Sequence, residues 1–223
     1  MKIRPHDTAI VITDPQNHFL SPSGATWGVV GESVQKNKTV EHIERLFKGA
    51  KANGYDVFVS PHSCYLTDRG WKLGGTVGKI MRELEMFYGD GDLAVKEFSG
   101  AELDWLERFK PYIEDGKTII TAPHKMDGPE TNDLALQLRK HGKSNVLLAG
   151  MSANLCVEAH LRALLEQGFE VTVIKDAVAA MAHPDLGDGY NSAITNFGFL
   201  ASAVRYTVNI VKDMEAGLTK KVA

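Results

Sequence analysis

The stretch from Val146 to Ile174, VLLAGMSANLCVEAHLRALLEQGFEVTVI, decides the fold. It opens on the apolar run Val146-Leu147-Leu148-Ala149, passes Gly150, and carries a helix-length segment from Cys156 to Gln167 that Gly168 closes. A second β-branched run, Val171-Thr172-Val173-Ile174, follows. Short continuous apolar runs mark strands buried on both faces, and a helix between two of them marks a parallel crossover.

The same alternation extends outward in both directions. Ala9-Ile10-Val11-Ile12-Thr13 predicts a first strand, and Val34 to Asn53, with Val40, Ile43, Leu46 and Phe47 at helical spacing, predicts a helix. Val57-Phe58-Val59 is a strand stopped by Pro61, and Thr118-Ile119-Ile120-Thr121 is another ahead of Pro123. A helix around Leu134, Leu136 and Leu138 ends at His141-Gly142. Asn191 to Phe199 reads as helical, with a last strand near Val204 to Val208 and a short terminal helix. The pattern predicts an α/β fold: a Rossmann-like three-layer α/β/α sandwich with a central, mostly parallel sheet, in one domain over residues 1–223. Ser60 to Gly116, with Gly74-Gly75 and Gly89-Asp90-Gly91, is the least regular stretch and reads as an excursion over the active face.

Composition narrows the function. The 223 residues hold 25 Lys+Arg against 28 Asp+Glu, a net charge of −3, and the pI is near 6.2. This balance offers no electrostatic footprint for nucleic acid or anionic lipid. No apolar run approaches the ~20 residues that span a bilayer, and the N-terminus carries no signal-peptide cleavage pattern. Two cysteines, Cys64 and Cys156, do not build a disulfide framework, which points to reduced thiols and a cytoplasmic setting.

In open parallel sheets the ligand lies beyond the carboxyl ends of the strands. That rule collects Asp14 after the first strand, His62 after the second, and His124 and Lys125 after Thr118–Thr121. Ser152, Asn154 and Cys156 follow Val146–Ala149, and Asp176 follows Val171–Ile174. Cys156 at a helix start meets unpaired N–H groups and the helix dipole, which favour a thiolate with a depressed pKa. Asp14 and Lys125 add a base and a cation. Each also has an ordinary reading: a packed cysteine, a capping aspartate, a solvated lysine.

At these residues the sequence resembles the isochorismatase-like cysteine hydrolases, which include nicotinamidases and N-carbamoylsarcosine, ureidoacrylate and biuret hydrolases. Three blocks carry the resemblance: Ala9 to Phe19, Ile119 to Lys125, and Leu148 to Val157. It implies a catalytic triad of Asp14, Lys125 and Cys156, with Asp14 as base and then acid, Lys125 as orienting cation and Cys156 as nucleophile. It also implies an oxyanion hole from the backbone N–H groups of Ser152 and Cys156, a cis peptide at Met151–Ser152, and a homo-oligomer in contact after Ala182 and along the final helix. Pro15, His18, Ala153 and Asn154 depart from the commoner residues of these blocks, as does the stretch Met126 to Asn132.

Nicotinamidases carry Asp-x-His for a divalent metal where this chain reads Ser60-Pro61-His62, with no second histidine before Gly116. The sequence therefore predicts no metal and, lacking Gly-x-Gly-x-x-Gly after the first strand, no cofactor. Gln16, Phe19, Trp27, His62, Trp71, Asn154 and Asn196 are the expected substrate contacts, and Phe98 joins the aromatic loop residues. The expected partner is a small amide or ureide, cleaved at a C–N bond through a thioester. Acid-catalysed vinyl-ether hydrolysis, an idle binding protein and a redox thiol stay open as rivals.

Overall fold

A computed structural model describes residues 3–88 and 103–219; Phe98 and Gly89-Asp90-Gly91 lie outside them. Six strands form one sheet: β1 (Thr8–Thr13), β2 (Asp56–Ser60), β3 (Ile119–Ile120), β4 (Asn145–Met151), β5 (Glu170–Ala179) and β6 (Ala203–Arg205). Their order is β3-β2-β1-β4-β5-β6, and every neighbouring pair is parallel. The helices are α1 (Asn17–Leu20), α2 (Trp27–Asn37), α3 (Thr39–Ala52), α4 (Gly75–Glu83), α5 (Lys110–Ile113), α6 (Leu134–Lys140), α7 (Glu158–Glu166), α8 (Gly189–Leu200) and α9 (Thr207–Thr219).

Alternation along each strand makes the two outer layers. Ile10, Ile12, Val57, Val59 and Leu147 join Val34, Ile43, Phe47 and Ile210 in a core beneath α2, α3 and α9. Ala9, Val11, Phe58, Val146 and Leu148 point the other way, onto Leu138, Leu161, Leu164 and Phe197 of α6, α7 and α8. This is the three-layer α/β/α sandwich expected. No helix among the described residues is long and apolar enough to cross a membrane.

Several boundaries differ from the sequence expectation. The single helix expected over Val34–Asn53 is two helices, because Lys38 takes a left-handed conformation (φ 50°) that ends α2 and starts α3 in a new direction. The last strand stops at Arg205, and the terminal helix has 13 residues rather than being short. Part of the irregular excursion is helical, as α4 and α5.

Strand order reverses between β1 and β4, so the crevice at their carboxyl ends is the switch point where such sheets bind ligands. Here the two backbones nearly touch. Gly150 (φ +118°) pairs with Thr13, and a Cβ on it would sit 2.1 Å from the Thr13 carbonyl oxygen. Gly150→Ala therefore forces backbone apart at the site's foundation and loses an expected ~2–4 kcal/mol. Gly168→Ala, at φ +86° with open space around it, meets only the conformational penalty of about 1 kcal/mol. Denaturant unfolding of the two variants checks the contrast; equal losses would refute the steric argument.

Candidate active site

Asp14 follows β1 in a left-handed conformation (φ 50°), its N–H bound to the Ser60 carbonyl at 3.0 Å. Its side chain is fully buried, and Oδ1 lies 2.8 Å from His124 Nε2. His124 Nδ1 lies 2.6 Å from the Met126 carbonyl oxygen. Beside an ionised Asp14 both ring nitrogens thus face acceptors, an arrangement that the doubly protonated imidazolium satisfies. Burial pulls its pKa down, but the charge and hydrogen bond of Asp14 outweigh this and raise it. The second carboxylate oxygen, Oδ2, has no hydrogen-bond partner among the described residues.

The cation beside Asp14 is therefore His124, where the sequence expectation put Lys125. The Lys125 ammonium is ion-paired to Asp68 instead and sits 3.1 Å above the centre of the Tyr65 ring. The β2–β3 pairing explains the difference. Val59 is opposite Ile120, but His62 is opposite His124, so one extra residue enters the second segment and changes which side chain turns inward.

Cys156 lies on a wide helical turn, Ala153–Val157, that leads from β4 into α7. The Met151–Ser152 peptide before it is cis. Asn154 holds the turn: its Oδ1 accepts from Ser152 Oγ (3.0 Å) and the Met181 N–H (3.1 Å), and its Nδ2 donates to the Met181 carbonyl (3.1 Å). Behind the thiol, His160 Nδ1 donates to the Cys156 carbonyl at 2.7 Å, while Ser60 Oγ donates to Nε2 at 2.8 Å and accepts from Asn132 Nδ2 at 2.8 Å. This chain of bonds is satisfied with His160 neutral, and burial and the nearby His124 cation press its pKa down to about 3. Ser60, His160 and Asn132 were absent from the expected set. Their signal is weak in sequence because each acts through the backbone or another side chain.

His62 completes the cluster. Its ring stacks on Phe87 at 3.8 Å, Nε2 lies 3.0 Å from the Lys125 carbonyl, and Nδ1 has no partner among the described residues. Burial and the His124 charge keep it neutral, its pKa well below the usual range. Gln16 fixes this segment from below, donating to the His62 and Leu103 carbonyls (3.0 and 2.8 Å) and accepting from the His62 N–H at 2.9 Å. An apolar pocket opens at the thiol, lined by His62, Phe19, Phe87, Met181 and Asp127 among others.

Of the other expected contacts, none lines this pocket. Trp27 packs over Gly31, Trp71 is partly exposed, and Asn196 donates to the Glu158 carboxylate (3.0 Å). Asp176 lies inside β5 and accepts from the Thr207 N–H at 2.8 Å. Donor atoms of Asp14, His62, His124 and Cys156 all fall within 4.8 Å of one another, a set that suits a soft divalent ion. Such an ion would have to displace the Asp14–His124 bond and occupy the thiol. The second histidine of this cluster is His124, which lies beyond Gly116 in the chain.

The thiol itself departs from expectation. Burial, then the charges of Asp14 and Asp127, push the Cys156 pKa well above the usual range, outweighing the hydrogen bond from Ser152. Burial pushes Cys64 up to about 12. In the free protein the alkylation rate of Cys156 by iodoacetamide should still be climbing above pH 8.5. A plateau below that pH, read by peptide mass spectrometry, would restore the depressed thiol that a helix start predicts.

The isochorismatase domain model matches residues 8–202. The chain is 26% identical over 173 residues to the ureidoacrylate amidohydrolase RutB of Acinetobacter baylyi, covering 73% of this chain and 66% of the relative, just under two thirds of its length. It is 24% identical over 215 residues to RutB of Pseudomonas savastanoi pv. phaseolicola, covering 91% and 83%. In structure it resembles a cysteine hydrolase from Pseudomonas syringae pv. phaseolicola 1448A, with TM-score 0.80, 20% identity and coverage of 97% and 96%. The N-carbamoylsarcosine amidase of Thermoplasma acidophilum gives TM-score 0.64 at 19% identity, covering 90% and 96%. With a match that runs from β1 to the edge of β6, and with Asp14 and Cys156 facing each other at the switch point, the chain belongs to the isochorismatase family of hydrolases.

Proposed function

We propose that this protein hydrolyses a carbon–nitrogen bond of a small amide or ureide through a thioester on Cys156, with Asp14 and His124 as its partners. The observation that carries the reading is the buried Asp14–His124 pair, which leaves one carboxylate oxygen unpaired while the carboxylate lies within 4.8 Å of the thiol. Amidohydrolase relatives support the same class of substrate.

The steps follow from these positions. Asp14 Oδ2 takes the thiol proton as Cys156 Sγ attacks the carbonyl carbon. The raised thiol pKa makes this transfer part of the attack rather than a prior ionisation. The backbone N–H groups of Ser152 and Cys156 receive the oxyanion. Asp14 then gives its proton to the leaving nitrogen, and ammonia or an amine departs. Water, deprotonated by Asp14, attacks the thioester; the carboxylic acid leaves and the thiol is restored. His124 fixes Asp14 through Oδ1 and offsets the negative charge that passes between sulfur, carboxylate and oxyanion. Three of the cluster's four residues, Asp14, His124 and Cys156, are engaged in this sequence, and the reading requires no metal or cofactor.

An ammonia-release screen over small amides, carbamoyl compounds and ureides tests the reading, with exhaustive chelation expected to leave activity intact. Cys156→Ala and Asp14→Asn should each lower kcat/KM by ~10³-fold or more, and the double variant should be little worse than either. His124→Gln should cost ~10²-fold or more, while Lys125→Ala should change the rate less than tenfold. The reverse ranking of these two would return the cation's role to Lys125.

The pH profile separates the cations further. His124 works protonated and its pKa is raised, so activity is present below that pKa and falls as pH rises through it. His124→Lys, if active, should carry the alkaline limb to higher pH. An unshifted limb would show that some other group sets it.

A further inference from the structure

Resting on the assignment of Cys156 as nucleophile, we infer that the pocket selects substrates whose acyl part is apolar and not anionic, with Asp127 receiving an N–H donor of the substrate. Asp127 is a specificity-determining residue that the sequence did not mark.

The pocket walls beside the thiol are apolar: Phe19, Met81, Phe87, Leu155 and Met181. Its polar side chains are His62, Asp127 and Cys156. The Asp127 carboxylate has no hydrogen-bond or ion-pair partner among the described residues, unlike the other carboxylates near the site, where Asp68 holds Lys125 and Asp14 holds His124. Burial raises its pKa, and the His124 charge opposes that rise.

Apart from the backbone N–H groups assigned to the oxyanion, the polar atoms that the site leaves without partners are acceptors. Asp14 Oδ2 and His62 Nδ1 are buried without partners, and His62 has its proton on Nε2, facing the Lys125 carbonyl. Nδ1 is therefore an acceptor. Asp14 Oδ2 has the thiol proton to receive, but the two acceptors that line the pocket, His62 Nδ1 and the Asp127 carboxylate, have no protein donor among the described residues and call for substrate N–H groups, such as those of a primary amide or a urea nitrogen. A carboxylate on the substrate would meet none of what it needs. Among the described residues no Lys or Arg lines the pocket, and the Lys125 ammonium is committed to Asp68 and the Tyr65 ring. His124 has both nitrogens engaged and is fully buried. A carboxylate beside Asp127 in so apolar a pocket would be repelled and desolvated together.

Reagent charge reads this without any turnover. The full chain with Cys64→Ser is treated with methanethiosulfonates bearing 2-aminoethyl, methyl or 2-sulfonatoethyl groups, and labelling of Cys156 is timed by mass spectrometry. Rates are normalised to 2-mercaptoethanol. The cation-to-anion ratio should exceed that of the free thiol at least ~10-fold, and Asp127→Asn should reduce it at least ~3-fold. Should the variant fail to fold, the wild-type ratio must shrink as salt is raised. An anionic reagent labelling as fast as the cationic one, or a ratio indifferent to both Asp127→Asn and salt, would overturn the proposal.

A matched substrate series gives the second arm: pentanamide, 5-aminopentanamide and 5-amino-5-oxopentanoate. The anion should have the lowest kcat/KM, at least ~10-fold below pentanamide, and Asp127→Asn should narrow that gap. A preference for the anion would sink the inference while leaving the amidase reading intact. Cation-selective labelling with no hydrolysis of any amide or ureide would do the opposite.

Discussion

Everything in this site turns on one hydrogen-bonded ion pair, Asp14 Oδ1 to His124 Nε2, made where neither side chain reaches water. A lone carboxylate there would not stay charged, and a lone imidazolium would not either. Together each holds the other's charge, and the pairing consumes only one carboxylate oxygen. The other oxygen stays unpaired and the carboxylate lies within 4.8 Å of the thiol, so the proposed base is a by-product of how the charge is stabilised. The Met126 carbonyl on the far side of the ring locks the histidine as a double donor and fixes its plane.

The sheet is what makes that pair affordable in geometry. β1, β2 and β4 end side by side, and the close approach of Gly150 to Thr13 sets the separation between the Asp14 turn and the Cys156 turn. Around them runs a shell that never touches the reacting atoms. Gln16 binds the β2 exit to the β1 exit, Asn154 ties the Cys156 turn to Met181, and the Asn132–Ser60–His160 chain holds the Cys156 carbonyl. Each closes a backbone or side-chain bond that would otherwise be buried and open. The rigidity of the site is thus the same requirement as polar satisfaction at the end of a buried sheet.

The strands and layers were legible because fully buried parallel strands leave uninterrupted apolar runs, as in Val146–Ala149 and Ile10–Ile12. The helix break at Lys38 was not, since a lysine carries no signal for a left-handed turn. Asp14 could be found because it follows directly on such a run, and Cys156 because it opens the helix-length segment that comes after another. His124 could not be chosen over its neighbour. The short β3 ends at Ile120, and between it and the His62–His124 bridge the register gains one residue. A slip of one residue exchanges the inward and outward side chains, and neither hydrophobicity nor charge in Thr121–Met126 records it. Asn196, Trp27 and Trp71 were drawn in by their place in loops near the active edge, a guide too coarse to fix where a side chain points.

Placing an imidazolium where relatives are expected to carry an ammonium changes more than the identity of the cation. A lysine side chain is long and mobile, with three donors to distribute. An imidazolium offers two donors on opposite edges, and here both are consumed, by Asp14 and the Met126 carbonyl. It therefore has nothing left for a substrate. The neighbouring Lys125 is tied to Asp68 and Tyr65, which takes the other nearby ammonium away from the pocket as well. Cation chemistry at this site is confined to holding Asp14, and what faces the ligand is a wall of apolar side chains with acceptors set into it. The same one-residue shift in register that brings His124 to the pair turns Lys125 away, and the selectivity proposed for the pocket rests on both.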